Sequence, residues 1–277
     1  MESVSETTAA TGGTRLPAPV SVYAVTDTSK TRLLLRQLNR QAVAGVLATG
    51  ALLLITALVI GHQLGLGDAY VVKTMALFSV VALWLGVYLP EHLPHARLGP
   101  ANQVTLGRLS LTALLGGLLG EAPTAVAGLA VGLAALALLL DGLDGWLARR
   151  GGWASAFGAR FDMETDALLV LLTAALTWQL DKAGAWVLLS GAMRYLFVAA
   201  GVFLPWLRRP LHESRRRKAV HVLQVLSLLL ALSPWLARPW SEAVAAAGLL
   251  LLCYSFLVDI AWLSRQSAPP HQGVDRR

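Results

Sequence analysis

The chain has 277 residues, 56% of them hydrophobic and 14% charged, with a mean hydropathy of +0.60. A water-soluble domain has no way to cover that much apolar surface, so the soluble classes are excluded. Aromatic residues make up only 7%, so Leu, Ala and Val carry the excess, which suits helices in lipid and argues against a barrel of alternating strands. The formal charge of +7 matches the Lys and Arg that cytoplasmic loops of membrane proteins carry, and no nucleic-acid partner is expected from it. Cys253 is the only cysteine, which rules out an intrachain disulfide and a cysteine-based metal cluster.

In chain order, residues 1–30 are rich in Ser, Thr, Ala and Gly, lack the pattern of a secretory signal, and are expected to form a disordered tail. Lys30, Arg32, Arg36 and Arg40 then form a basic juxtamembrane segment expected to stay in the cytoplasm. A span needs about 20 mostly apolar residues. Eight segments come near that length: 41 to 62, 71 to 90, 104 to 120, 123 to 147, 163 to 181, 184 to 206, 218 to 236 and 242 to 263. Eight spans return the chain to its starting side. Loops on the side of the N-terminal basic segment contain His92, His95 and Arg97, then Arg149, Arg150 and Arg160, then Arg208, Arg209, Arg215, Arg216, Arg217 and Lys218; those on the other side hold only Lys182 and Arg238 as basic residues. This asymmetry predicts cytoplasmic termini. Gly116 with Gly120 and Gly128 with Gly132 predict small faces for close helix packing. Pro90, Pro94 and Pro100 would permit residues 31–98, a pair of transmembrane helices, to pack separately from a six-helix body over 99–264. Residues 265–277 are expected to form a cytoplasmic tail.

Polar residues concentrate where the fourth and fifth segments meet. The fourth ends on Asp141, Asp144, Gly145, Ala148 and Arg149, and the fifth opens on Gly158, Asp162 and Asp166. Three- and four-residue spacings put Asp141 with Asp144, and Asp162 with Asp166, on shared helix faces. Two antiparallel helices joined by a short loop would bring both pairs together. Carboxylates at a membrane boundary are expensive and repel one another unless cations neutralise them. Hard oxygen donors select Mg²⁺, Mn²⁺ or Ca²⁺ over zinc. Capping or plain hydration would explain charged helix ends elsewhere, yet Asp141 and Asp144 lie at a helix C-terminus, where the dipole disfavours negative charge. Gly145 and Ala148 leave room for a ligand near the backbone, although helix packing would explain either one. Arg149 suits phosphate, and it would also serve as a simple cytoplasmic anchor.

These residues resemble the signature of the CDP-alcohol phosphatidyltransferases, DxxDGxxAR followed after eight residues by GxxxDxxxD. Asp141, Asp144, Gly145, Ala148, Arg149, Gly158, Asp162 and Asp166 match every fixed position, with residues 150–157 as the spacer. Asn102, Thr105 and Arg108 are similar to the polar pattern that opens the family's first helix. The resemblance implies an all-α polytopic membrane protein with the family's six-helix body, preceded here by two extra transmembrane helices. It also implies transfer of a phosphatidyl group from a CDP-linked lipid, usually CDP-diacylglycerol, to an alcohol, with release of CMP. By the same resemblance, Asp141, Asp144, Asp162 and Asp166 would hold two divalent cations, Mg or Mn, and Asp166 would also deprotonate the acceptor. Gly145, Ala148, Arg149, Gly158, Asn102 and Thr105 would then line the CDP and phosphate site.

Arg194 interrupts the sixth apolar segment, a costly position open to two readings: a buried salt bridge, or a contact with substrate or with the aspartates. Arg216, Arg217 and Lys218 either anchor the seventh segment at the lipid surface or reach the acceptor, above all one that carries phosphate such as glycerol-3-phosphate. Glu164 turns off the face of its neighbouring aspartates. His92 and His95 lack a third ligand, and Tyr254 and Asp259 are weak candidates. The first two helices serve packing, a homodimer contact or a lipid entrance. An intramembrane prenyltransferase would also use aspartate-bound Mg²⁺, but with motifs on separated helices and no GxxAR element. A cation-coupled transporter would show broken helices or paired repeats, and neither is visible. The expected partners are the CDP-lipid, a small alcohol and the bilayer, and the expected location is the bacterial inner membrane with a cytoplasmic active site.

Overall fold

The computed structural model describes residues 28–88, 99–151, 155–209, 211 and 214–267. Among the described residues there are eight α-helices and no strand: α1 Thr28–Leu64, α2 Asp68–Tyr88, α3 Pro100–Gly117, α4 Pro123–Gly151, α5 Ala156–Gln179, α6 Leu189–Phe203, α7 Arg215–Leu232 and α8 Trp240–Ser267. Single 3₁₀ turns at Ala185–Leu188 and Pro205–Arg208 flank α6. The predicted basic segment from Lys30 to Arg40 is helical and continuous with the first span. At 37 residues, α1 is about 55 Å long and outreaches a hydrocarbon core of about 30 Å.

Local chemistry explains the boundaries. Pro100 and Pro123 open α3 and α4, where a missing amide proton has no helical partner to lose. Ser155 caps α5 by accepting a hydrogen bond from the Gly158 amide at 3.0 Å. Beyond α3 the chain turns through Gly120 at φ +83°, a conformation that side chains resist. The Gly120 amide donates to Gln179 Oε1 at 2.7 Å, which ties this turn to the end of α5.

Among the described residues four helical segments are long and apolar enough to cross a bilayer: Arg40–Leu64, Val126–Leu143, Ala185–Phe203 and Trp240–Gln266. The protein is a polytopic membrane protein of all-helical class. α3, α5 and α7 are less apolar because they carry inward polar residues, and the predicted second span, 71 to 90, runs past α2 into residues outside the described set. Burial follows the bilayer pattern. Arg108, Thr112, Thr165, Thr173, Thr177 and Gln224 are buried, while Leu47, Ile55, Leu139, Phe203, Leu250 and Leu257 are exposed. Lipid solvates an outward Leu as well as a core does, whereas an unpaired polar group must turn inward. Thr112, Thr165, Thr173 and Thr177 satisfy their hydroxyls on the preceding turn, as Thr173 does by donating to the Leu169 carbonyl at 2.7 Å.

α3 is the hub. It packs against α2, α4 and α5, while α4 and α5 touch each other far less and α7 pairs with α8. The two aspartate-bearing helices therefore meet across α3 rather than as a simple hairpin. α2 lies close on α3: a Cβ at Gly117 would fall 2.1 Å from Thr74 Oγ1, and one at Gly116 would fall 2.6 Å from Leu77 Cδ2. Lys73 of α2 pairs with Glu121 at 2.7 Å and also donates to the Leu119 carbonyl. The first helical pair is thus joined to the body by intimate packing, and the intervening prolines do not hold it apart. The small-face expectation holds at Gly116. At Gly128 and Gly132 a Cβ would meet nothing within 4 Å, so among the described residues no neighbour uses that face.

Candidate active site

Arg108, two turns into α3, is 1% exposed at its side chain, a position that demands counter-charges. It has three. One guanidinium nitrogen lies 2.5 Å from Asp162 Oδ1, and the other lies 2.8 Å from Asp141 Oδ1 and also binds Asp166 Oδ1. Its Nε donates to the Ala137 carbonyl of α4 at 3.3 Å. The side chain therefore bridges α4 and α5 from below. His221 of α7 brings its Nε2 to 3.5 Å from Asp166 Oδ2, so four helices converge on one cluster.

Asp141, Asp162 and Asp166 each offer a carboxylate oxygen, and these oxygens all lie within 4.8 Å of one another. The carboxylates are partly open, at 23%, 40% and 20% exposure, so a charged ligand can reach them while Arg108 stays covered. Among the described residues three carboxylates face one guanidinium, an acidic excess that a divalent ion would offset. Oxygen-only donors at this spacing suit a hard cation such as Mg²⁺ or Mn²⁺. The described residues fit a divalent metal on both counts.

Other predicted residues divide into those at the cluster and those away from it. Asp144, Gly145, Ala148 and Arg149 belong to the helical run of α4, and their side chains lie outside the described residues, as do His92 and His95. Asn102 and Thr105 are buried on α3, near the start of α5. A Cβ at Gly158 would sit 2.8 Å from Asn102 Oδ1, so this glycine lets the N-terminus of α5 approach α3. Thr105 Oγ1 donates to the Ala101 carbonyl at 3.0 Å.

Arg194 binds Glu164 and donates to Met163 Sδ at 2.8 Å. The salt-bridge alternative describes its geometry, and Glu164 does point away from the aspartates toward α6. Arg216 pairs with Asp259 of α8 and donates to the Ser255 carbonyl at 2.8 Å, and Arg217 lies 3.5 Å from the same Asp259. Asp259 is thereby a charge partner for the basic start of α7. Lys218 is exposed.

Two residues gain importance that sequence reasoning did not give them. Arg108 was visible only as part of a polar pattern, although a full charge within a helix of span length already signals a buried counter-charge. His221 stood beside the basic run of α7, and nothing in sequence spacing links it to Asp166, 55 positions earlier.

Residues 98–256 match the family model described as CDP-alcohol phosphatidyltransferase. No curated protein and no solved structure matches the chain.

Proposed function

Because the chain belongs to the CDP-alcohol phosphatidyltransferase family, whose members are membrane transferases that move a phosphatidyl group from a CDP-alcohol to an alcohol, we propose that its donor is CDP-diacylglycerol and its acceptor a small phosphorylated alcohol such as glycerol-3-phosphate. The observation that carries this reading is the convergence of Asp141, Asp162 and Asp166 within 4.8 Å at the end of the bundle where the signature lies. Asp144 completes the proposed ligand set for two divalent cations, Mg²⁺ or Mn²⁺. When bound, such ions neutralise the pyrophosphate and the developing charge on departing CMP.

Residues of the chain supply the rest. Arg149, with the unhindered backbone at Gly145, Ala148 and Gly158, would receive the CDP phosphates, and Asn102 and Thr105 would bound the nucleotide side. Asp166 accepts the acceptor's hydroxyl proton. The acceptor oxygen then forms a bond to the lipid-bearing phosphorus, and the bond from that phosphorus to the CMP oxygen breaks, its electron pair leaving with CMP. Asp166 is suited to this task because its second oxygen faces α7 beside His221, away from Arg108. At the start of α7, Arg217 and Lys218, supported by Arg216, would meet an acceptor phosphate. Arg194 is matched by Glu164 and is a weaker candidate.

The proposed orientation has this end in the cytoplasm of a bacterial inner membrane. Its support is that Arg238 and Lys73 at the opposite end are locally neutralised, Arg238 by Asp181 at 2.7 Å and Glu242 at 3.3 Å and Lys73 by Glu121, while Lys182 there donates to the Ser233 and Leu236 carbonyls. The test is CMP release by the purified full chain from CDP-diacylglycerol with a panel of alcohols, with and without EDTA. Turnover with glycerol-3-phosphate that EDTA abolishes and Mg²⁺ restores supports the reading. Turnover undiminished in excess EDTA rejects the metal role, and turnover only with an unphosphorylated alcohol rejects the acceptor.

A further inference from the structure

Arg108 touches one oxygen, Oδ1, of each of three aspartates that come from two other helices. It is anchored by its Nε on the Ala137 carbonyl and is almost wholly covered. Three features follow from this arrangement. The guanidinium contacts the carboxylates from the buried side, whereas the carboxylates themselves are partly exposed. The second oxygen of Asp166 is turned toward α7, where it faces His221 at 3.5 Å. The planar fork holds its donors in fixed directions on separate nitrogens, whereas the three donors of an ammonium radiate from one nitrogen on a flexible stem.

We propose that Arg108 is a positioning residue of the metal centre: by holding Asp141, Asp162 and Asp166 through one oxygen each, it gathers and orients these carboxylates so that a divalent cation meets them already assembled. The inference rests on the proposed metal role of these aspartates. Arg108 is outside the eight-position signature, and it acts through the carboxylates without touching the substrate. Hydrogen-bond partners of metal ligands commonly govern affinity by about 10–100-fold. Here the effect is expected in that range because a single side chain holds three of the proposed ligands. A simple opposing-charge role would act in the other direction, since a fixed positive charge beside the site repels the incoming cation and its removal would tighten binding.

The experiment is direct Mn²⁺ titration by electron paramagnetic resonance on the detergent-purified full chain, without substrate, for wild type, Arg108→Lys and Arg108→Gln. Monodispersity is checked by size-exclusion chromatography. Both variants are expected to bind Mn²⁺ at least about tenfold more weakly, with Arg108→Lys failing despite its retained charge. Wild-type affinity in Arg108→Lys, or tighter binding in Arg108→Gln, overturns the proposal. Wild type that binds no Mn²⁺ overturns the metal reading beneath it, which is a separate result. If the single variants aggregate, the pair Arg108→Gln with Asp162→Asn, in which one charge of each sign is removed, is compared with Asp162→Asn alone; equal Mn²⁺ affinity in those two also overturns the proposal.

Discussion

Replacing Asp162 by Asn separates folding from chemistry. The carboxylate oxygens of Asp141, Asp162 and Asp166 lie within 4.8 Å of one another; at that distance and an effective dielectric of about 20, each pair repels by about 3 kcal/mol. Asp162 is 40% exposed, so water screens its share to about half of that. Against the relieved repulsion stands a charge-assisted hydrogen bond to Arg108, with a contribution of about 1.5–3 kcal/mol. The guanidinium still keeps Asp141 and Asp166. The two effects nearly cancel, so thermal unfolding of metal-free Asp162→Asn in detergent is expected within a few degrees of wild type. Turnover with saturating Mg²⁺ is expected to fall about 100-fold or more, because a lost ligand removes several kcal/mol of charge stabilisation from the transition state. Unfolding is followed by fluorescence in EDTA, and turnover by CMP release. A variant that melts far below wild type yet turns over normally would refute this reasoning, since Asp162 would then be holding the bundle together and not a cation.

Gly191→Leu is expected to lower the melting temperature, because even a Cβ there would fall 2.3 Å from Leu171 Cα and α6 must shift, at a cost of about 1–3 kcal/mol or more. Gly128→Ala is expected to be neutral or stabilising by up to about 1 kcal/mol, since nothing lies within 4 Å of its Cβ position; unfolding in detergent checks both. With Cys253 changed to Ser, an impermeant thiol reagent added outside intact cells is expected to modify Trp235→Cys and spare Ala159→Cys, and the reverse would invert the proposed orientation. Arg194→Gln and Glu164→Gln are expected to lower stability by similar amounts that do not add when combined, as partners of one pair do, and to leave the acceptor KM alone; a KM raised by Arg194→Gln only would assign Arg194 to the acceptor.

The parts of this molecule that sequence makes legible are those with a short period or a fixed spacing. Apolar runs of span length announce the helices, because lipid leaves the backbone no other satisfied conformation. Asp141, Asp162 and Asp166 could be read together because the loop between α4 and α5 is short, even though the pairing they make is mediated by α3. What remained hidden depends on contacts between distant segments. The partner of Arg194 was a choice between two readings until α6 packed against α5 and selected Glu164. Asp259 looked idle because its partners, Arg216 and Arg217, precede it by more than forty positions on the other helix of the α7–α8 hairpin. The join between α2 and α3 was concealed by prolines that suggested separation, when the decisive residues were Gly116 and Gly117, whose missing side chains admit Leu77, Tyr70 and Thr74. A helical bundle in lipid gains nothing by hiding apolar surface from its solvent, so its neighbours are chosen by small residues and paired charges. Those are the features that single-chain periodicity does not encode, and Arg108, a charge with three partners on two other helices, is where their absence from the sequence pattern matters most.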